Sequence, residues 1–141
     1  MHSRTTSKTT DEIVIENRKL GQRAFAAFAR GDFPAFTAMW SPDIVFHFAG
    51  KSMISGTFRG REAVLANVQR NFDLSKGTLN VENIEVLAGE RYVSFYNRVR
   101  ATREGRDLDT HEFVTIKVVE GKTAEWTLVP EDQYSWDAFW S

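Results

Sequence analysis

Three ionisable side chains in this sequence lie in segments that contain many apolar residues, where they could transfer protons to or from a bound ligand. His47 lies between two phenylalanines in "DIVFHFAG", Glu112 lies in a segment rich in β-branched residues, and Asp132 belongs to the C-terminal "EDQYSWDAFW". A histidine that titrates near neutral pH can remove a proton next to a carbonyl group, and a carboxyl group in apolar surroundings can stay protonated and act as an acid. His47, Glu112 and Asp132 are therefore candidate catalytic residues.

Each of these residues also has a structural interpretation. A histidine on a half-buried strand can be a hydrogen-bonded structural residue, and an aspartate before a helix is a preferred N-cap. Glu112 is predicted to point inward, where an unpaired carboxylate is costly and requires a partner or a function. His111 has the opposite strand parity and is expected at a surface or interface, unless a bulge reverses its direction. The sequence leaves both interpretations of His47 and Asp132 open.

The spacing of apolar residues predicts the helices and strands that position these three residues. Apolar residues recur at helical spacing in the first half, and short strand-like segments joined by glycine-bearing turns follow in the second half. The prediction is helices over residues 11–30, 33–40 and 61–72, a strand around His47, strands over 79–87, 92–102, 108–119 and 123–129, and a short helix after Asp132. The fold class is therefore α+β, with helices closing one side of a curled antiparallel sheet.

Strand alternation and aromatic content predict an apolar interior that binds a ligand. On the first strand the phenylalanines share one side and His47 shares the other with Val45, and we expect the His47 side to face a cavity. Trp126 could wall that cavity or simply fill the core. The predicted ligand-binding residues are Phe28, Trp40, Val45, Phe95, Asn97, Val114 and Trp126.

The composition argues against several kinds of partner and of chemistry. The 141 residues carry a net charge of −1, so there is no excess of positive charge that would favour binding to nucleic acid. Because the chain has no cysteine, disulfides and thiolate chemistry are excluded. We expect residues 1–10 to be a disordered tail and residues 11–141 a single domain. The predicted partner is a small apolar or aromatic ligand. No metal, cofactor, nucleic acid or membrane is expected, and a cytoplasmic location is predicted.

A family resemblance rests on the order of several motifs. The succession of "ARGDFPAF", "DIVFHFAG", "GTFRGREAV", "EGKTAEW" and "EDQYSWDAFW" resembles the nuclear-transport-factor-2-like superfamily, near its SnoaL-like and ketosteroid-isomerase-like branches. The resemblance implies a cone-shaped sheet around a central cavity. It also implies a homodimer, for which we predict the sheet face that carries Tyr92, Ser94, Tyr96, Arg98 and Arg100.

Departures from the family patterns argue against two activities of the superfamily, and one similarity supports a third. His47 lies three residues before Gly50, the position of the general-base aspartate in ketosteroid isomerases, but the positions of the two oxyanion donors hold Ala24 and Val114. The Arg-x-Asp of limonene-epoxide hydrolases is replaced by Arg-Val-Arg at residues 98–100. The similarity to the polyketide-cyclase-like branch implies that Asp132 is the late acid.

Three classes of function remain open at this point. The first is a cofactor-independent isomerase- or cyclase-type enzyme that uses acid–base chemistry on an apolar carbonyl compound, polyketide- or steroid-like. The second is a non-catalytic small-ligand binder, and the third is a protein-interaction module of the same fold.

Overall fold

A computed structural model describes residues 7–141 of the chain, so most of the predicted tail over residues 1–10 lies outside the described residues. Four helices and six strands follow one another in the described part. Their bounds are α1 Thr10–Ala29, α2 Phe33–Ala38, β1 Trp40–Phe48, β2 Gly56–Arg59, α3 Arg61–Leu74, β3 Asn80–Ala88, β4 Tyr92–Arg103, β5 Arg106–Val119, β6 Lys122–Pro130 and α4 Gln133–Trp140.

The helix boundaries follow from local capping chemistry. The Thr9 side chain accepts a hydrogen bond from the backbone N–H of Glu12 at the start of α1, and Asp32 does the same for Ala35 at the start of α2. Gly31 adopts a φ of 70° between the two helices, a conformation that glycine reaches at little cost. No helix within residues 7–141 is long and apolar enough to cross a lipid bilayer.

The six strands form one curled sheet in the order β2-β1-β6-β5-β4-β3. All neighbouring strands pair antiparallel except β1 and β6, which run parallel. This pair joins a strand of the first half of the chain to the last strand. The predicted α+β class and cone-like sheet are confirmed. The short strand β2, which pairs with the segment around His47, was not predicted from the sequence.

The core lies between the inner face of the sheet and the helices. Its centre is aromatic: the Trp126 ring contacts Phe28, Phe36, Trp40 and Phe46, with ring centroids between 3.8 and 6.5 Å apart. Rings of this size bury a large apolar area and prefer tilted or edge-to-face contacts. The aromatic cluster fixes the helices against the sheet and leaves a gap beside it, which is the candidate site.

Candidate functional site

An apolar cavity of about 70 Å³ lies between the inner face of the sheet and the helices. Its wall is formed mainly by aromatic and aliphatic side chains, with a small set of polar ones. The polar lining residues are Asn71, Asn97, Glu112 and Thr123. An apolar pocket with a few convergent polar groups is the usual form of a small-molecule site.

Glu112 is the ionisable residue that lines this cavity in the described chain. Its side chain lies on β5 and is only 4% exposed, and its Oε2 accepts a hydrogen bond of 3.0 Å from Asn97 Nδ2. Burial raises the pKa of the Glu112 carboxyl from its ordinary 4.5 to about 7, and the Asn97 hydrogen bond opposes part of that rise. Both protonation states of Glu112 are therefore available near neutral pH.

The strand register explains why Glu112 and Asn97 meet. Glu112 lies directly opposite Asn97 on β4 and opposite Pro130 on β6. Asn97 is 2% exposed, and its Oδ1 accepts a hydrogen bond of 3.0 Å from Asn83 Nδ2 on β3. Because this contact uses the amide oxygen of Asn97, it turns the amide nitrogen toward Glu112. A row of three polar side chains thus crosses the inner face of the sheet.

The structure places most of the predicted ligand-binding residues in the cavity wall. Phe28, Trp40, Phe95, Asn97, Val114 and Trp126 line the cavity, and Val45 does not. Ala24 and Val114, which occupy the positions of the isomerase oxyanion donors, also line it and offer no side-chain donor.

The prediction that His47 points into the cavity is wrong. On β1 the residues Ile44, Phe46 and Phe48 are buried, whereas Val45 and His47 lie on the outer face and are half-exposed. The His47 ring lies 2.8 Å from Glu125 Oε1 through Nε2 and 3.2 Å from Thr57 Oγ1 through Nδ1. The buried side packs against Trp126 of β6, whose ring centroid lies 3.8 Å from that of Phe46.

Asp132 is a helix cap and not a cavity residue. Its carboxylate accepts hydrogen bonds from the backbone N–H of Ser135 at 3.2 Å and from the Ser135 hydroxyl at 2.7 Å, at the start of α4. These hydrogen bonds lower the pKa of Asp132. Of the two interpretations of Asp132, the structure therefore supports the N-cap, and Glu112 alone among the candidate catalytic residues lines the cavity.

His111 lies on the outer face, as its strand parity predicts. Its Nδ1 is 3.2 Å from Glu131 Oε2, and its ring stacks on Tyr96 with centroids 5.2 Å apart. The two strand histidines are thus on the face that points away from the cavity, each beside a glutamate.

Sequence reasoning missed Asn71 and Thr123 as cavity residues. Asn71 continues the buried side of α3 at helical spacing from Val64 and Val68. That spacing is the signal that could have found it, since a polar residue within an apolar stripe is buried with its neighbours. Thr123 is 2% exposed and lies opposite Trp40 in the parallel β1–β6 pair, a long-range pairing that no local pattern indicates.

The chain belongs to the SnoaL-like domain family, whose sequence profile matches residues 22–126. It is 32% identical over 134 residues to an uncharacterised protein of Mycobacterium bovis and equally to one of Mycobacterium tuberculosis, covering 94% of this chain and 99% of each relative. The predicted membership of the nuclear-transport-factor-2-like superfamily is confirmed.

Solved structures share the fold over nearly the whole chain. Bal32a from a soil-derived mobile gene cassette superposes with a TM-score of 0.88 at 28% identity, covering 92% of this chain and 99% of its own. A Xanthomonas campestris protein of unknown function with a cystatin-like fold gives 0.83 at 25% identity, with 87% and 96% covered. A proposed SnoaL-like polyketide cyclase of Jannaschia gives 0.78 at 14% identity, covering 97% and 99%, which shows the fold alone.

Proposed function

We propose that this protein is a cofactor-independent enzyme of the isomerase or cyclase type, which uses Glu112 as its acid–base group on a small apolar carbonyl compound. The observation that carries the proposal is a carboxyl group with a pKa of about 7 in the wall of an apolar, aromatic cavity. A general base or acid is most effective when its pKa lies near the working pH. Perturbed pKa values in a cleft are typical of functional sites.

The arrangement supports a proton transfer that begins and ends on the same carboxyl group. Ionised Glu112 takes a proton from the carbon next to the carbonyl, and the electrons of that C–H bond form an enol or enolate. Protonated Glu112 then returns the proton to a different atom of the ligand, and the carboxylate is regenerated. The Asn97 amide donates to the carboxyl throughout and favours its charged form.

A non-catalytic binder is the second candidate, and one observation favours it. Ala24 and Val114 line the cavity where the isomerases of this superfamily hold their oxyanion donors. Without such donors, the negative charge that develops on the carbonyl oxygen has less stabilisation, and these donors are often the largest catalytic contribution. In that case Glu112 serves as a hydrogen-bonding anchor for the ligand.

Proton exchange in heavy water tests the enzyme proposal directly. The protein is incubated with acetophenone, phenylacetone and cyclohexenone, and deuterium uptake next to each carbonyl is followed by NMR. We expect catalysed uptake for at least one ketone and a loss of about a hundredfold in Glu112→Gln, the usual scale for a general base. Glu125→Gln on the outer face is the matched control and should exchange at the wild-type rate.

The outcomes of this test separate the two candidates. Binding of the ketones without catalysed exchange would favour the binder. Exchange that survives in Glu112→Gln would show that Glu112 is not the base.

We also infer that the outer face of the sheet joins two copies of the chain in a symmetric homodimer. Large side chains lie exposed on this face: Tyr92 is 50% exposed, Phe113 43% and Val129 46%. Aromatic side chains are enriched in protein interfaces, and a symmetric dimer uses the same patch on both copies. The two arginines of the predicted face are paired within the chain, Arg98 with Asp109 and Arg100 with Glu82.

A further inference from the structure

Asn71 is a buried amide in the helical wall of the cavity. Its side chain is 7% exposed, and its Nδ2 donates a hydrogen bond of 2.6 Å to the carbonyl oxygen of Asn67, one turn earlier in α3. Because two oxygens cannot approach so closely without a proton between them, this contact identifies the bonded atom as the amide nitrogen. The amide oxygen Oδ1 must then point elsewhere.

The oxygen of this amide is an unused acceptor within the described part of the chain. No donor of residues 7–141 hydrogen-bonds to Asn71 Oδ1, although the residue lines the cavity. Since Asn71 is only 7% exposed and lines the cavity, a ligand in the cavity can supply the donor that the chain does not. A leucine would fit the apolar stripe that Val64 and Val68 begin, so the helix itself does not require an amide here.

The two polar walls of the cavity offer complementary chemistry. On the sheet side, the Glu112 carboxyl binds Asn97 through Oε2 only and can donate a proton to a carbonyl oxygen or remove one from carbon. On the helix side, Asn71 Oδ1 can only accept. Aromatic side chains such as Phe28, Phe95 and Trp126 lie in the remaining wall.

We propose that Asn71 is a specificity-determining residue of the cavity, which accepts a hydrogen bond from a hydroxyl group of the ligand. This inference rests on the proposed small-molecule function of the same cavity and names its ligand class: a ring compound that carries a hydroxyl group, of the phenol type. A ligand that replaces the hydroxyl by an ether leaves the Asn71 oxygen buried without a donor, which costs binding free energy.

Phenol and anisole form a matched pair for the test, because they differ in the hydroxyl hydrogen that Asn71 would bind. Their dissociation constants are measured by protein NMR titration with wild type, Asn71→Leu and Asn67→Leu. Asn67 is the control, since it is also buried in α3 but donates to the Ile54 carbonyl and is not part of the cavity wall. Wild type and Asn67→Leu should prefer phenol about tenfold, and Asn71→Leu should show no preference.

A second measurement keeps the inference testable if Asn71→Leu fails to fold. In wild type at saturation, the side-chain amide resonances of Asn71 should shift more with phenol, which bonds to its oxygen, than with anisole, which only lies beside it. Equal affinity of wild type for both compounds, or a phenol preference that persists in Asn71→Leu, would overturn the role of Asn71 and leave the cavity proposal intact. Failure of both compounds to bind would overturn the phenol-type ligand class, and the ketone exchange experiment would still decide the proposed function.

Discussion

The two faces of the sheet carry similar ionisable groups in opposite surroundings. On the inner face Glu112 is 4% exposed and bound to a neutral amide, whereas on the outer face Glu125 and His47 have side chains 42% and 36% exposed and bind each other. Burial shifts the pKa of Glu112 to about 7. The direction of a side chain on its strand, and not its chemical type, therefore selects the group suited to acid–base catalysis here.

The contact between His47 and Glu125 on the outer face is an ordinary solvent-exposed contact. His47 lies within hydrogen-bond distance of Glu125 on β6 and Thr57 on β2, so it links the three strands at this edge of the sheet. Water reaches both partners and weakens their attraction. Exposed ion pairs contribute only about 0 to 1 kcal/mol to stability.

The largest expected effect is a dependence of stability on pH that originates at Glu112. Its pKa is about 7 in the folded chain and about 4.5 in the unfolded chain, so between these values the folded state binds more protons. The free energy of unfolding therefore falls as the pH rises from about 4.5 to 7. The total contribution is on the order of 3 kcal/mol.

Denaturant unfolding of wild type and Glu112→Gln across this pH range measures that contribution. The glutamine side chain does not ionise, so the difference in stability between the two proteins should grow in favour of Glu112→Gln as the pH rises and level off above about pH 7. Glu125→Gln should follow the wild-type curve closely. Parallel curves for wild type and Glu112→Gln would show that Glu112 titrates normally.

The next effect concerns the amide that stabilises the charged form of Glu112. Asn97→Leu removes the 3.0 Å hydrogen bond to the carboxylate, and a hydrogen bond to a charged group is worth about 1.5 to 3 kcal/mol. The pKa of Glu112 should then rise further, by about one unit or more. Carboxyl-carbon NMR of the glutamate side chains follows this titration directly. A pKa unchanged by Asn97→Leu would mean that burial alone sets its value.

Sequence reasoning found the inner face of the later strands correctly because their pattern is regular. On β4 the buried residues Val93, Phe95, Asn97 and Val99 alternate with partly exposed ones, so parity alone placed Asn97 inward. On β1 both sides carry apolar residues, and parity could not choose between Val45 with His47 and the phenylalanines. The choice depends on the packing of Trp126 against Phe46, which comes from a distant part of the chain.

Other parts of the site could not be read from local pattern. Strand β2 has four residues, begins at Gly56 and is followed by Gly60; both glycines have positive φ, so the segment resembles a turn in sequence. The parallel pairing of β1 with β6 joins segments about eighty residues apart and brings Thr123 beside Trp40. The N-cap of α4 was one of two interpretations of Asp132, and only the contact with Ser135 decides between them.

The predicted dimer supplies a test confined to the outer face. Tyr92→Glu places a charge at an exposed aromatic position of that face and should shift the protein toward the monomer in light scattering at micromolar concentration. Phenol affinity should change little, because Tyr92 is not part of the cavity wall. Tyr134→Glu is the matched control, since Tyr134 is 86% exposed and belongs to α4, not to the sheet. A wild-type monomer at that concentration would overturn the dimer.

The smallest effect is expected from His47→Ala. The substitution removes two contacts between solvent-accessible side chains on β1, β2 and β6, so stability should fall by less than about 1 kcal/mol. Ketone exchange and phenol affinity should stay at the wild-type level because the ring lies on the far side of the sheet from Glu112. The comparison is made at a concentration where both proteins have the same oligomeric state, and His47→Gln should behave in the same way. A tenfold loss of exchange in either variant, with the fold intact, would show that the outer face contributes to the reaction. Burial alone would then not determine which face carries the catalytic group.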